Sequence, residues 1–258
     1  MIIKFDHLAF ASNDIQFEQQ IKLLKDLGYE LKFVERNANN LNIKSPLMKI
    51  FGPRQDLALL VLKNNINIEL VNHGHSNKNF SNITPLFKNF PHNLIRSDLN
   101  LNFKNKLERA VKIKYFEIPI YISEDKKNKS FIFNELIIKT ANIEESISFW
   151  KNFAFLPILN KKNSAVLEFN APLGRGAYHL RLIKDKNINT KIFLDDAGFN
   201  CLAFISSSAV NEKKNLEIAG IETTATERFK VNDKELEIFF AKGSQGEIAE
   251  VISVEDTF

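Results

Sequence analysis

The chain has 258 residues, with 35 Lys and Arg against 31 Asp and Glu and a net charge of +4. Spread along the whole length, so even a balance argues against a nucleic-acid partner. The one cysteine, Cys201, excludes an internal disulfide, and no apolar run approaches the ~18 residues that span a bilayer, so neither a disulfide scaffold nor a membrane-embedded role is expected. The N-terminus enters a strand pattern directly, without a basic and apolar leader, which predicts a reducing cytoplasm as the location.

In chain order, residues 4–12 alternate apolar and polar as a strand does, and Asn13 or Asp14 is a candidate N-cap for the helix that follows. Phe17, Ile21, Leu24 and Leu27 form the apolar stripe of that helix, and Gly28 suits a left-handed stop. Strands are expected at 30–35, 47–51, 57–62 and 66–71, the last two joined as a hairpin at Asn64 and Asn65. Residues 73–89 read as an Asn-rich loop with a helical turn near 85–87. A strand at 93–97, a helix at 103–110 and a strand at 115–123 follow, and the charged, apolar-free stretch 124–129 reads as a linker. The second half predicts a strand at 131–140, a helix at 144–153 and strands at 164–169 and 178–183. A strand at 201–205, a helix at 209–219 stopped by Gly220, and strands at 236–241 and 247–254 complete it.

Three stretches are copies of one unit: they open FDHLAF at Phe5, FNELII at Phe133 and FNCLAF at Phe199. Each runs strand, helix, then further strands. The third position is His7, then Glu135, then Cys201, so one slot carries three residue types able to bind a metal or a proton. The spacings are 128 and 66 residues, leaving room for one shortened copy between the first two. The expected class is therefore α+β: tandem βαβββ units forming two curved mixed sheets with helices on the outer faces. Two domains are expected, 1–125 with its second unit truncated and 130–258, each closing its own cleft.

With DHLAF and LGYEL in the first unit and ELIIKTANIEESISFWKNFAF in the third, the chain resembles the vicinal oxygen chelate superfamily, which includes glyoxalase I, extradiol dioxygenases and bleomycin-resistance proteins. The resemblance implies a divalent metal, one of Zn, Ni, Co, Mn or Fe, in a cleft between paired units. Side chains of the first and last strands of each unit would hold it. Those slots are His7 and Glu69 in the first unit, with ligand atoms expected within about 5 Å of each other. Glu69 doubles as the catalytic proton shuttle, and His92 is the candidate ligand from the truncated unit. In the second half the slots read Glu135, Arg181, Cys201 and Glu250, a set better suited to holding a substrate than a metal, because the guanidinium repels a divalent ion and seeks Glu135 or Glu250. The implied function is a metal-dependent isomerase, lyase or ring-cleaving enzyme acting on a small oxygenated substrate. A metal-free sequestering protein or a pseudoenzyme of the same fold is the alternative. The partner is a small-molecule ligand, with paired units meeting either within one molecule or by exchange across a homodimer.

Other chemistry-bearing residues have plainer expectations. His73 and His75 fall in a polar loop. Cys201 lacks a basic neighbour that would activate it, so a buried, inert thiol is expected. The GRG at 174–176 is a hairpin turn and not a phosphate loop, since no helix follows it. Most phenylalanines are expected in the core, with some lining a cleft suited to an apolar ligand.

Overall fold

Four units follow one another in a computed structural model that describes residues 1–75, 77–99, 108–113, 116–124, 130–231 and 234–254. Unit one consists of β1 (Ile2–Ser12), α1 (Phe17–Asp26), β2 (Glu30–Asn39), β3 (Arg54–Val61) and β4 (Asn67–Asn72), with a 3-10 segment at Asn42–Leu47. A short β5 (Asn77–Phe80) leads to unit two: β6 (Ile83–Lys88), β7 (Ile95–Leu99), β8 (Glu108–Ile113) and β9 (Phe116–Ser123). Unit three has β10 (Ile132–Thr140), α2 (Ile143–Lys151), β11 (Phe155–Lys161), β12 (Ser164–Phe169) and β13 (His179–Lys184). Unit four has β14 (Asp196–Ser206), α3 (Ala209–Ile218), β15 (Glu222–Thr223), β16 (Glu227–Val231), β17 (Lys234–Lys242) and β18 (Ile248–Val254). The fold is α+β and strand-rich, as the repeats predict. Among the described residues no helix is long and apolar enough to cross a membrane.

Each unit closes by laying its last strand parallel to its first: β1 on β4, β6 on β9, β10 on β13 and β14 on β18. The units then join through antiparallel first strands, β1 with β14 and β6 with β10. Unit one therefore pairs with unit four, and unit two with unit three. This corrects the expectation that 1–125 and 130–258 each close their own cleft. The reason is that two open first strands of similar pattern can satisfy each other wherever the chain brings them together, and local spacing does not choose the partner. Of the expected linker 124–129, only Glu124 is among the described residues.

A bulge sets the face of each slot residue. On β1, Phe5 opposes Phe204 and His7 opposes Ala203, so Asp6 is the extra residue. Asn134 is extra between Phe133 and Glu135, and Asn200 between Phe199 and Cys201. In a regular strand the residues two apart would share a face. The bulge instead turns Phe5, Phe133 and Phe199 into the main core under the helices, and His7, Glu135 and Cys201 to the opposite, concave side. That core is continuous between the two sheets: Phe5 of unit one meets Phe155 at 6.1 Å and Tyr178 at 5.2 Å, both of unit three. The helices cover it through Phe17, Ile21 and Leu24 of α1, Ile147 and Trp150 of α2, and Leu216 of α3.

Unit two departs most from expectation. Its first strand is β6, which the sequence presents as a loop with a helical turn near 85–87, and of the strand expected at 93–97 only 95–97 are strand, on the next element, β7. Pro85 masks the signal, because a proline argues against a central strand. It is tolerated because β9 pairs with β6 only from Leu86 onward. Of the helix expected at 103–110, residues 103–107 lie outside the described residues, and 108–110 are strand. The strand expected at 47–51 is also absent; Leu47 and Met48 are instead buried at the end of the 3-10 segment, where Pro46 stops a ladder from forming.

Candidate metal centre

His7 leaves the centre of β1, Glu69 the centre of β4 and Glu250 the centre of β18. In register, Ala9 lies beside Glu69 and Ala203 beside Glu250, while His7 opposes Ala203. Three concave-facing side chains from two units thus converge, and their ligand atoms all lie within 4.8 Å of one another. His7 Nε2 is 3.5 Å from Glu69 Oε2 and 3.7 Å from Glu250 Oε2. These spacings are long for hydrogen bonds, and Nε2 is buried without a hydrogen-bond partner. A buried imidazole nitrogen aimed at two carboxylates, none of them close enough to bond one another well, is a donor set that suits a borderline divalent ion with bonds near ~2.0–2.2 Å.

The far side of the ring is held. His7 Nδ1 lies 3.0 Å from Asp6 Oδ2, and Lys4 Nζ donates to Asp6 Oδ1 at 2.7 Å. The Asp6 carbonyl accepts from Asn67 Nδ2 at 2.8 Å, which pins the bulge. A carboxylate behind a ligating histidine fixes its tautomer and ring plane. Burial alone pushes the His7 pKa down, but the Glu69 charge with the carboxylates of Asp6 and Glu250 outweighs it and holds the imidazole well above its usual range. Burial pushes Glu69 up, yet the His7 charge and that of Lys44 bring its pKa below the ordinary value. The metal-free pair is therefore an imidazolium and a carboxylate.

The cluster opens into a cavity of about 470 Å³. Phe33, Leu57, Leu59, Phe229 and Ile238 give it apolar walls, while Asp6, Lys44 and Gln55 are polar groups on its surface. Cys201 lies on the same concave face, but its thiol is outside the three-residue cluster and its pKa is raised well above the usual range, first by burial and then by the Glu250 charge. An inert thiol matches the sequence expectation.

The sequence slots are thus redistributed. His7 and Glu69 meet as expected, but Glu250 and Cys201, assigned to a separate substrate cleft, share their face. His92 belongs to a 3-10 turn, His92–Leu94, between β6 and β7 of the other sheet, on neither a first nor a last strand. Its element does not supply the site. Asp6 and Lys44 are not among the site residues that the sequence predicts. The Asp-His dipeptide was a legible signal for Asp6 only once a bulge is supposed, whereas Lys44 in a loop carried none. His73 is not a solvated loop histidine: it is 7% exposed, and burial, helped by the Lys44 charge, lowers its pKa to about 3.

The second cleft has the same register. Ile137 lies beside Arg181 on β13, and Glu135 opposes Leu86 on β6, which pairs with Tyr121 on β9. The slots of His7, Glu69, Cys201 and Glu250 are therefore filled by Glu135, Arg181, Thr84 and Tyr121. Arg181 binds Glu135 at 2.6 Å, the ion pair that the sequence predicts. Ile137 and Leu86 stand where the first cleft has Ala9 and Ala203, and they pack with Ala110 and Tyr121 into a small core. Bulk and a fixed cation occupy the space that the first cleft leaves open.

No protein-family profile and no curated protein matches the sequence. Solved structures do. Glyoxalase I from Zea mays superposes with a TM-score of 0.62 at 10% identity, over 97% of this chain and 92% of that one. A candidate dioxygenase from Bacillus subtilis gives 0.62 at 7% identity, over 99% of this chain and 86% of that one. Identities this low speak to architecture, and together with the paired units and their concave slots they place this chain in the vicinal oxygen chelate fold.

Proposed function

We propose that the chain is a metal-dependent enzyme of the isomerase, lyase or ring-cleaving kind, acting on a small oxygenated substrate in the cleft between units one and four. The observation that carries this reading is the buried, unpartnered Nε2 of His7 facing the carboxylates of Glu69 and Glu250. A divalent ion held by these three would polarise a substrate oxygen and stabilise negative charge developing on it. Asp6 keeps the imidazole oriented, and the apolar walls exclude water from the reacting carbon. Glu69, less buried than His7 in its side chain, is the group placed to take a proton from one substrate atom and return it to another.

Elemental analysis of the purified protein tests the reading directly. One transition metal per chain is expected, falling to near zero in His7→Ala and well below one in Glu250→Gln. A metal-free wild type that takes up no Zn, Ni, Co, Mn or Fe on dialysis, yet still binds a small molecule, would favour the sequestering alternative.

A further inference from the structure

The cavity also contains a cation that is not one of the three candidate metal ligands. Lys44 lies in the 3-10 segment Asn42–Leu47 and is 8% exposed. Its backbone is fixed: its N–H donates to the Leu41 carbonyl at 3.0 Å, and the adjoining Ile43 N–H donates to Glu227 Oε2 at 3.1 Å, tying the segment to unit four. The ammonium has three donors. One makes a long bond of 3.4 Å to Gln55 Oε1, and the Phe240 ring centre is 5.9 Å away. Among the described residues no carboxylate lies within the 4.0 Å of an ion pair. Buried lysines are rare unless paired, and this one borders an open cavity whose nearby walls, Leu41, Leu57 and Ile238, are apolar.

A dry ammonium with unused donors, held on a tethered segment, is a prepared seat for an anion. Lys44 supplies one positive charge beside a cavity that also holds the carboxylates of Glu35, Glu69 and Glu250, so a monoanionic carboxylate fits better than a phosphate monoester dianion, whose second charge would meet further repulsion. Lys230 also borders the cavity but is exposed, where solvent screens it. We propose that the substrates are monocarboxylates with an apolar body, the carboxylate seated on Lys44 and Gln55 and the body lying along Leu57 and Leu59 toward the His7, Glu69 and Glu250 end. The substrate class deepens the metal reading above and rests on it for turnover, but the seat itself requires no metal.

Calorimetric titration of the full chain, stripped of metal with a chelator, tests the seat with hexanoate, hexanamide and hexyl phosphate. Hexanoate is expected to bind at least about tenfold more tightly than hexanamide or hexyl phosphate. Lys44→Met should erase that preference while hexanamide still binds, and Lys230→Met should keep it. Lys44→Gln, which retains a donor without the charge, should also lose it and guards against a folding defect in the first variant. Equal binding of hexanoate and hexanamide, no hexanoate binding up to its solubility limit, hexyl phosphate as the tightest ligand, or a preference that survives in Lys44→Met each overturn the proposal. Metal uptake is measured on the same samples. Normal uptake without carboxylate preference refutes the seat alone, and carboxylate preference without uptake refutes the metal reading alone.

Discussion

At the candidate centre, Asp6 touches His7 on the side away from Glu69 and Glu250 and so governs how the imidazole presents Nε2. Asp6→Asn keeps the size but removes the charge. It should weaken metal affinity by about 10–100-fold with the fold intact, measured by competition with a coloured chelator. A second expectation concerns His73, which is buried and neutral in the fold, with a pKa lowered from 6.5 to about 3. Because the unfolded chain takes up this proton first, the stability it contributes is complete above 6.5 and is lost as pH falls toward about 3. The slope is at most about 1.4 kcal/mol per pH unit. Urea unfolding across that range should show the fall, and His73→Gln should flatten it. His7 was legible from the repeated first-strand motif, and Glu69 from the last-strand slot that the family resemblance implies. Lys44 was not, because its role comes from where a loop segment lands on the sheet and not from any pattern of neighbours.

Elements were readable where local chemistry was self-sufficient. In α2, Asn142 follows a strand and caps the helix, its side-chain oxygen accepting from the N–H groups of Glu144 at 3.2 Å and Glu145 at 3.4 Å. Asn142→Ala should cost about 1 kcal/mol, read from chemical denaturation, while leaving metal uptake unchanged. The stripe of α1 and the stops at Gly28 and Gly220, both left-handed with φ of +95° and +78°, were equally plain. Elements that depend on partners were not. β6 is a strand because β10 and β9 flank it, in spite of Pro85, and in β11 Pro157 interrupts the apolar run 155–159, of which all but Phe155 is exposed, so its pattern does not read as a core strand. The bulges at Asp6, Asn134 and Asn200 belong to the same class: the Phe-Asp/Asn-x motif is visible in the sequence, but that its middle residue falls out of the ladder becomes evident only from the opposing strand.

For the whole molecule, the two clefts share a design and differ in what fills them. The Arg181–Glu135 pair is partly exposed, with the two side chains 25% and 12% accessible. Arg181→Leu should therefore destabilise the protein by about 1–3 kcal/mol, between the values typical of exposed and of buried pairs. Metal content should stay at one per chain, because Ile137 and Leu86 still crowd the second cleft. A rise to two would show that the guanidinium alone keeps metal out. Which units share a cleft is where the sequence expectation of two self-contained halves fails: the first strands pair across distant segments, β1 with β14 and β6 with β10.

The crossed pairing of units also has a consequence for how the protein comes to exist. Units two and three are neighbours in the chain and can close their sheet while synthesis continues. Unit one must wait, its β1 edge unsatisfied, until β14 and finally β18 emerge. His7 and Glu250 lie near opposite ends of the sequence, so the centre assembles last, after a slow long-range closure. A chain halted before Ile248 has no Glu250, so under the proposed metal reading uptake would report that the last strand has been made and docked.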